Sequence, residues 1–165
     1  MVDKLFTAYD VFVSPLGPLY LIFSGKFLSG VSFTKPSQLS FKKNTAPDSL
    51  IKELDSYFRG QSDSFSQKIK FLIGTDFENK VWAALKEIPY GETRTYKWVA
   101  EKIGKPAAVR AVGQALSKNP VPVIIPCHRV IESDGSIGGY SSGVNVKKRL
   151  LEMEYYAKMN KMLKR

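Results

Sequence analysis

The sequence predicts an α+β fold: a small N-terminal sheet-plus-helix domain over residues 1–74, then a mostly helical C-terminal domain over residues 75–165 with a winged helix-turn-helix-like motif. Three observations carry that prediction. Short aromatic and β-branched runs separated by Gly and Pro turns occupy the chain from Leu5 to Phe33. One segment of helical period, Asp48 to Phe58, follows in the first half. Beyond Gly74, apolar stripes of helical period succeed one another, each bounded by a cap and a glycine or proline stop.

Taken in order, Phe12 and Val13 lead into the turn Pro15, Leu16, Gly17, Pro18, and the runs Tyr20 to Phe23 and Phe27 to Phe33 flank Gly25 and Lys26, so this region reads as a hairpin or meander sheet. Pro36 to Asp48 is polar, basic and aperiodic. Leu50, Ile51, Leu54, Tyr57 and Phe58 then recur at helical spacing, closed by Gly60, and this helix is expected to cover one sheet face. Gln61 to Gln67 reads as a loop and Ile69 to Ile73 as one more short strand. In the second half, Thr75 and Glu78 stand at capping-box spacing before Phe77, Val81, Ala84, Leu85 and Ile88, and Pro89 and Gly91 end that helix. Thr95 caps a short helix with Val99, Ala100 and Ile103 inward, and Gly104 closes it. After Lys105 and Pro106 a second helix runs to about Lys118, and the pair suggests helix-turn-helix. Trp98 reads only as core packing. The last helix is expected from Val146 to about Lys158 with Asn145 as cap, after a stretch containing Gly135, Gly138, Gly139 and Gly143.

Composition narrows the function. With one cysteine no intramolecular disulfide is possible, and with one histidine beside it no Cys/His metal cluster exists, so neither a metal nor a cofactor is expected. The segment Met1 to Tyr9 carries Asp3 and no signal-type apolar run, and no stretch of membrane-spanning length occurs, which predicts a reducing location inside the cell, the cytoplasm (nucleoid-associated in a prokaryote, the nucleus in a eukaryote), and no membrane partner. The formal charge of +10 favours polyanions, and residues 1–74 carry a net +3 against +7 for residues 75–165.

Within the second short helix Val109, Val112 and Leu116 form an inward stripe, leaving Ala107, Arg110, Gly113, Gln114 and Ser117 on the other face. A major-groove reader usually carries several long polar side chains. This face is small with one long cation, which suits close approach to a minor groove with Arg110 as a wedge in the base stack.

The one cysteine stands in Ile125-Pro126-Cys127-His128-Arg129-Val130, after the apolar run Val121 to Ile124, so burial is expected. Burial opposes the thiolate that reactivity needs, and a neighbouring base favours it. His128 is adjacent, and since neighbouring side chains on extended backbone point apart, it is expected to reach the sulfur through a water. Glu154 shares a helical stripe with Leu150 and Leu151 and is a candidate to orient the imidazole.

These residues give the chain a resemblance to the O6-alkylguanine-DNA alkyltransferases (methylated-DNA--protein-cysteine methyltransferases). Pro126 to Val130 matches the family's Pro-Cys-His-Arg-Val signature, and Ile88 to Tyr96, Ala108 to Pro120, Gly138 to Ser141 and Lys147 to Glu154 fit the family pattern around it. The likeness is strong over about residues 75–154, whereas residues 1–74 match in length and element order. It implies direct reversal of damage: Cys127 accepts the alkyl group from O6-alkylguanine, and with a lesser place for O4-alkylthymine, in a thioether that is never hydrolysed. It further implies His128 as base, Glu154 as its orienter, Tyr96 as proton donor to guanine N3, and Asn119 as a tie between turns near Cys127. Arg110 would replace the flipped nucleotide, with Ala107, Gln114 and Ser117 at the DNA. The backbone of Val130 and Ser141, with Tyr140 as wall, would recognise guanine, and Lys147 would brace that loop. The implied partner is double-stranded DNA containing alkylated guanine, met by a monomer. Ser142 stands where family members often carry glycine, which leaves the pocket width open.

Three other functions share parts of the pattern. An alkyltransferase-like damage sensor would lack Cys127; a winged-helix regulator would need base-reading side chains; a cysteine hydrolase or thiol redox enzyme would need a water path or a second cysteine.

Overall fold

The computed structural model describes residues 8–164, so the Leu5 and Phe6 part of the predicted strand lies outside the described residues. The chain divides into two compact units.

The first unit holds the sheet and one helix. Strands β1 (Ala8–Ser14), β2 (Gly17–Ser24) and β3 (Phe27–Ser32) form an antiparallel meander in the order β1-β2-β3. The first hairpin is tight because Gly17 holds φ +104° and Ser14 Oγ donates to the Gly17 carbonyl at 2.7 Å while accepting from the Leu16 amide at 3.1 Å. Alternation along β2 buries Leu19, Leu21 and Phe23, and helix α1 (Asp48–Phe58) buries Leu50, Leu54 and Tyr57. Phe58 stacks on Phe12 with ring centroids 6.0 Å apart, tying α1 to β1.

The predicted strand over Ile69 to Ile73 shrinks to one bridge between Ile69 and Leu28, held by hydrogen bonds from Leu28 N to Lys68 O and from Lys70 N to Leu28 O. The backbone bends at Leu72 and Ile73, leaving Ile73 exposed, so local β propensity yields to the turn that enters the next helix. Residues Pro120–Ile124 belong with this first unit, inside the stretch that the sequence assigned to the second. The reason is a strand-like contact, Val31 N donating to Pro120 O at 2.8 Å, with Val121 and Val123 buried.

The second unit is helical. Helix α2 (Asp76–Leu85) carries the complete Thr75/Glu78 capping box. Its buried stripe includes Trp82, absent from the predicted one, whose indole N–H donates to Ala115 O at 2.9 Å. Gly74, at φ +117°, makes room for that ring: a Cβ there would meet it at 2.7 Å. Helix α3 (Tyr96–Lys102) is capped by Thr95 Oγ1, which accepts from Trp98 N at 3.0 Å. The short strand β4 (Arg94–Thr95) just before it pairs in parallel with β5 (Val130–Ile131). Helix α4 (Val109–Ser117) buries Val112, Ala115 and Leu116. Val109, predicted inward, is exposed because it opens the helix before the packed turn begins, and Ala107 lies in the turn ahead of it. Trp98 is half-exposed rather than core, with Arg94 Cζ 5.6 Å and Lys102 Nζ 5.9 Å from its ring centre. Helix α5 (Val144–Leu163) starts before the predicted Asn145 cap and ends beyond Lys158; Gly143 at φ +102° takes the cap position and accepts from Lys147 N through its carbonyl. Among the described residues no helix is long and apolar enough to cross a membrane.

Candidate active site

Cys127 sits on a single 3-10 turn, Cys127–Arg129, rather than on extended backbone. Its amide donates to Ile125 O at 2.8 Å and the Arg129 amide to Pro126 O at 3.0 Å, which fixes the turn. Successive side chains on such a turn diverge by about 120°, so Cys127 and His128 still face different ways. The thiol is 4% exposed. Burial pushes its pKa up; the Asn119 amide, the Lys147 ammonium and the Tyr140 hydroxyl offset this only in part. Asn119 is held by its own donation to Ile125 O at 2.9 Å. The sulfur therefore needs a base to become a thiolate.

Behind it lies a buried network. His128 Nε2 meets Glu154 Oε1 at 2.7 Å. Arg129 donates from Nε to Glu154 Oε2 and from Nη2 to Oε1, both at 2.9 Å, and from Nη1 to Ile88 O at 2.8 Å. The Gly91 amide adds a donation to Glu154 Oε2 at 3.3 Å. Burial alone would raise the Glu154 carboxyl, yet His128 and Arg129 bring it down to about 2, so it is a fixed anion at neutral pH. Sequence reasoning gave Arg129 no role. Its only local signal was its place inside the five-residue motif, because its carboxylate partner arrives 25 residues later.

In front of Cys127 opens a pocket of about 290 Å³, walled by Tyr96 from α3, by Gly113, Leu116 and Ser117 from α4, and by Gly139, Tyr140 and Ser141 from the loop before α5. Tyr96, at the first position of α3, is half-buried, and burial, then Glu132 and Cys127, raise its phenol pKa. Burial likewise pushes the Tyr140 phenol well up. Lys147 is 1% exposed and donates to Val130 O at 2.6 Å and Gly139 O at 3.1 Å, clamping β5 to the loop. Burial lowers its pKa, with Cys127 and Glu132 acting the other way. Arg110 and Gln114 project outward from α4, exposed, while Ser117 both lines the pocket and donates to Gln114 O at 2.6 Å. Thus Cys127, His128, Glu154, Asn119, Tyr96, Tyr140, Ser141, Val130 and Lys147 come together, whereas Ala107, Arg110 and Gln114 form an adjoining exposed surface.

Residues 76–156 match the DNA binding domain of the 6-O-methylguanine DNA methyltransferases, and residues 7–71 match that family's ribonuclease-like domain. A methylated-DNA--protein-cysteine methyltransferase of Methanosarcina barkeri is 46% identical over 153 residues, covering 88% of this chain and 96% of the relative. The enzyme of that name from Mycobacterium leprae is 44% identical over 146 residues, 86% of this chain and 88% of the relative. The crystal structure of Mycobacterium tuberculosis OGT in complex with DNA superimposes with a TM-score of 0.85 at 40% identity, covering 92% of this chain and 94% of that one. Likeness of this extent reaches both halves and includes the cysteine turn, and the chain therefore belongs to the 6-O-methylguanine DNA methyltransferase family.

Proposed function

We propose that the protein repairs O6-alkylguanine in double-stranded DNA by moving the alkyl group onto Cys127 Sγ, once per chain. The observation that carries this reading is a lone buried thiol at the floor of an open pocket, backed by a histidine–carboxylate pair. Glu154 occupies the Nε2 side of the imidazole, so the thiol proton passes by way of a water to Nδ1 of His128. The thiolate attacks the alkyl carbon; the S–C bond forms as the C–O6 bond breaks, and Tyr96 Oη protonates N3 so that guanine leaves neutral. A thioether offers water no acyl carbon or good leaving group, so the chain is consumed.

A base inside a duplex cannot reach a buried sulfur, so the nucleotide must be extruded. The short side chains of α4 let its backbone approach the groove, with Ala107, Gln114 and Ser117 along the strand and Arg110 in the vacated stack. The backbone of Val130 and Ser141, braced by Lys147, meets the guanine edge, Tyr140 forms the wall, and Asn119 steadies the thiolate. A monomer in the cytoplasm, where the thiol stays reduced, fits this work.

The test is digestion of a lesion-bearing duplex to nucleosides after incubation. The unaltered protein should remove O6-methylguanine mole for mole, and Cys127→Ala should remove none. Intact lesions with the unaltered chain, or repair by Cys127→Ala, overturn the reading.

A further inference from the structure

The loop after β5 brings near Tyr96 a carboxylate that the reaction above does not use. The Glu132 backbone is fixed: its amide donates to Ser136 O at 2.9 Å and its carbonyl accepts from the Gly135 amide at 3.0 Å. Asp134 closes the same turn, accepting from the Ser136 amide at 2.9 Å and from its hydroxyl at 2.7 Å. The Glu132 side chain and the phenol converge over Gly138, which holds φ +69°. A Cβ at Gly138 would lie 3.1 Å from Tyr96 Oη and 3.2 Å from Glu132 Oε1. The absence of a side chain there lets an acid and a phenol share the space.

We propose that Glu132 is a positioning residue whose charge turns the Tyr96 hydroxyl and restrains it as the acid for the departing guanine. The inference rests on the alkyl transfer proposed above. A phenol beside an anion turns its hydrogen toward that anion and releases it less readily, because the phenolate would stand next to a second negative charge. As the S–C bond forms and the C–O6 bond breaks, the Tyr96 proton moves to N3, and the negative charge left on Oη faces Glu132. Burial raises the phenol first, and Glu132 and then Cys127 add to it. Besides Cys127 on the 3-10 turn, the charged group bearing on the pair is Lys147 on α5, which Glu132 helps to keep protonated against burial. Glu132 is exposed, so water screens its field and the effect is moderate.

The measurement is the rate of transfer from a free O6-alkylguanine base, which carries no phosphate for Glu132 to repel. Glu132→Gln should speed transfer about 3- to 10-fold. The gain should vanish in a Tyr96→Phe background. Equal rates with and without the Glu132 charge overturn the proposal, as does the same gain whether or not the Tyr96 hydroxyl is present. Failure of the unaltered chain to accept any alkyl group overturns the transfer reading itself, and this proposal with it.

Discussion

Behind the Cys127 sulfur, His128, Arg129 and Glu154 are at most 3% exposed and joined by hydrogen bonds of 2.7–2.9 Å; in front of it, Tyr96 is half-buried and Ser117 and Ser141 are exposed around an open pocket. Under the proposed transfer, the two sides differ because they act on different things. There the rear acts on a sulfur that never leaves the chain, so its charges can be paired in advance and kept buried. The front would act on a base that arrives from outside, so its donors stay open until that base completes them. A change at the rear should therefore disturb stability and rate together, and a change at the front should disturb rate alone.

The largest break of that contrast is Glu154→Gln. Removing the carboxylate leaves Arg129 as a buried, uncompensated charge, a loss of about 3–5 kcal/mol, and should slow transfer about 10²- to 10⁴-fold. Adding Arg129→Met should restore much of the stability and none of the rate. Urea unfolding and single-turnover kinetics on the same samples separate the two, and a rate that recovers along with stability would make the rear network structural only.

At the front, Arg110→Ala should slow transfer from duplex DNA about 10- to 100-fold, since unstacking a base costs a few kcal/mol, while transfer from a free base and the melting temperature hold. Equal losses on both substrates contradict the wedge role. Tyr96→Phe should cost about tenfold on both substrates, roughly 1.4 kcal/mol of barrier, again with little change in unfolding. A large stability loss there would erase the distinction between the two sides.

A separate break uses pH and acts on stability alone. Glu154 has its folded pKa lowered from 4.5 to about 2, so the folded state prefers the ionised form. The stability this lends is present above the unfolded value and is lost as pH falls from there through about 2. The shift corresponds to about 3 kcal/mol. Acid unfolding of the unaltered chain should steepen over that window relative to Glu154→Gln, and parallel curves would contradict the assignment.

Local chemistry makes much of this legible in the sequence. The Thr75/Glu78 box, the Thr95 cap and the limits of α1 depend on side chains a few residues apart, and each appears where its spacing places it. What the sequence hid depends on distant partners. Arg129 meets a carboxylate 25 residues on, and the Trp82 indole finds a carbonyl 33 residues away. The same limit explains Ile69 to Ile73, whose β-branched run suggests a strand while its neighbours allow one bridge. Trp98 reads as core by residue type, yet it is only half-buried, with the Arg94 and Lys102 cations over its ring. Gly143, at φ +102°, stands at the α5 cap in place of Asn145, a backbone choice that composition does not display.

One chain should take one alkyl group on Cys127 and then be spent. Intact-mass measurement after incubation with an excess of duplex bearing O6-methylguanine tests it most directly, with peptide mapping to locate the adduct. The expected result is a single methyl group per chain, on Cys127, with repaired lesions equal to protein molecules. An unmodified chain, a methyl group elsewhere, or more lesions repaired than protein molecules present would contradict it.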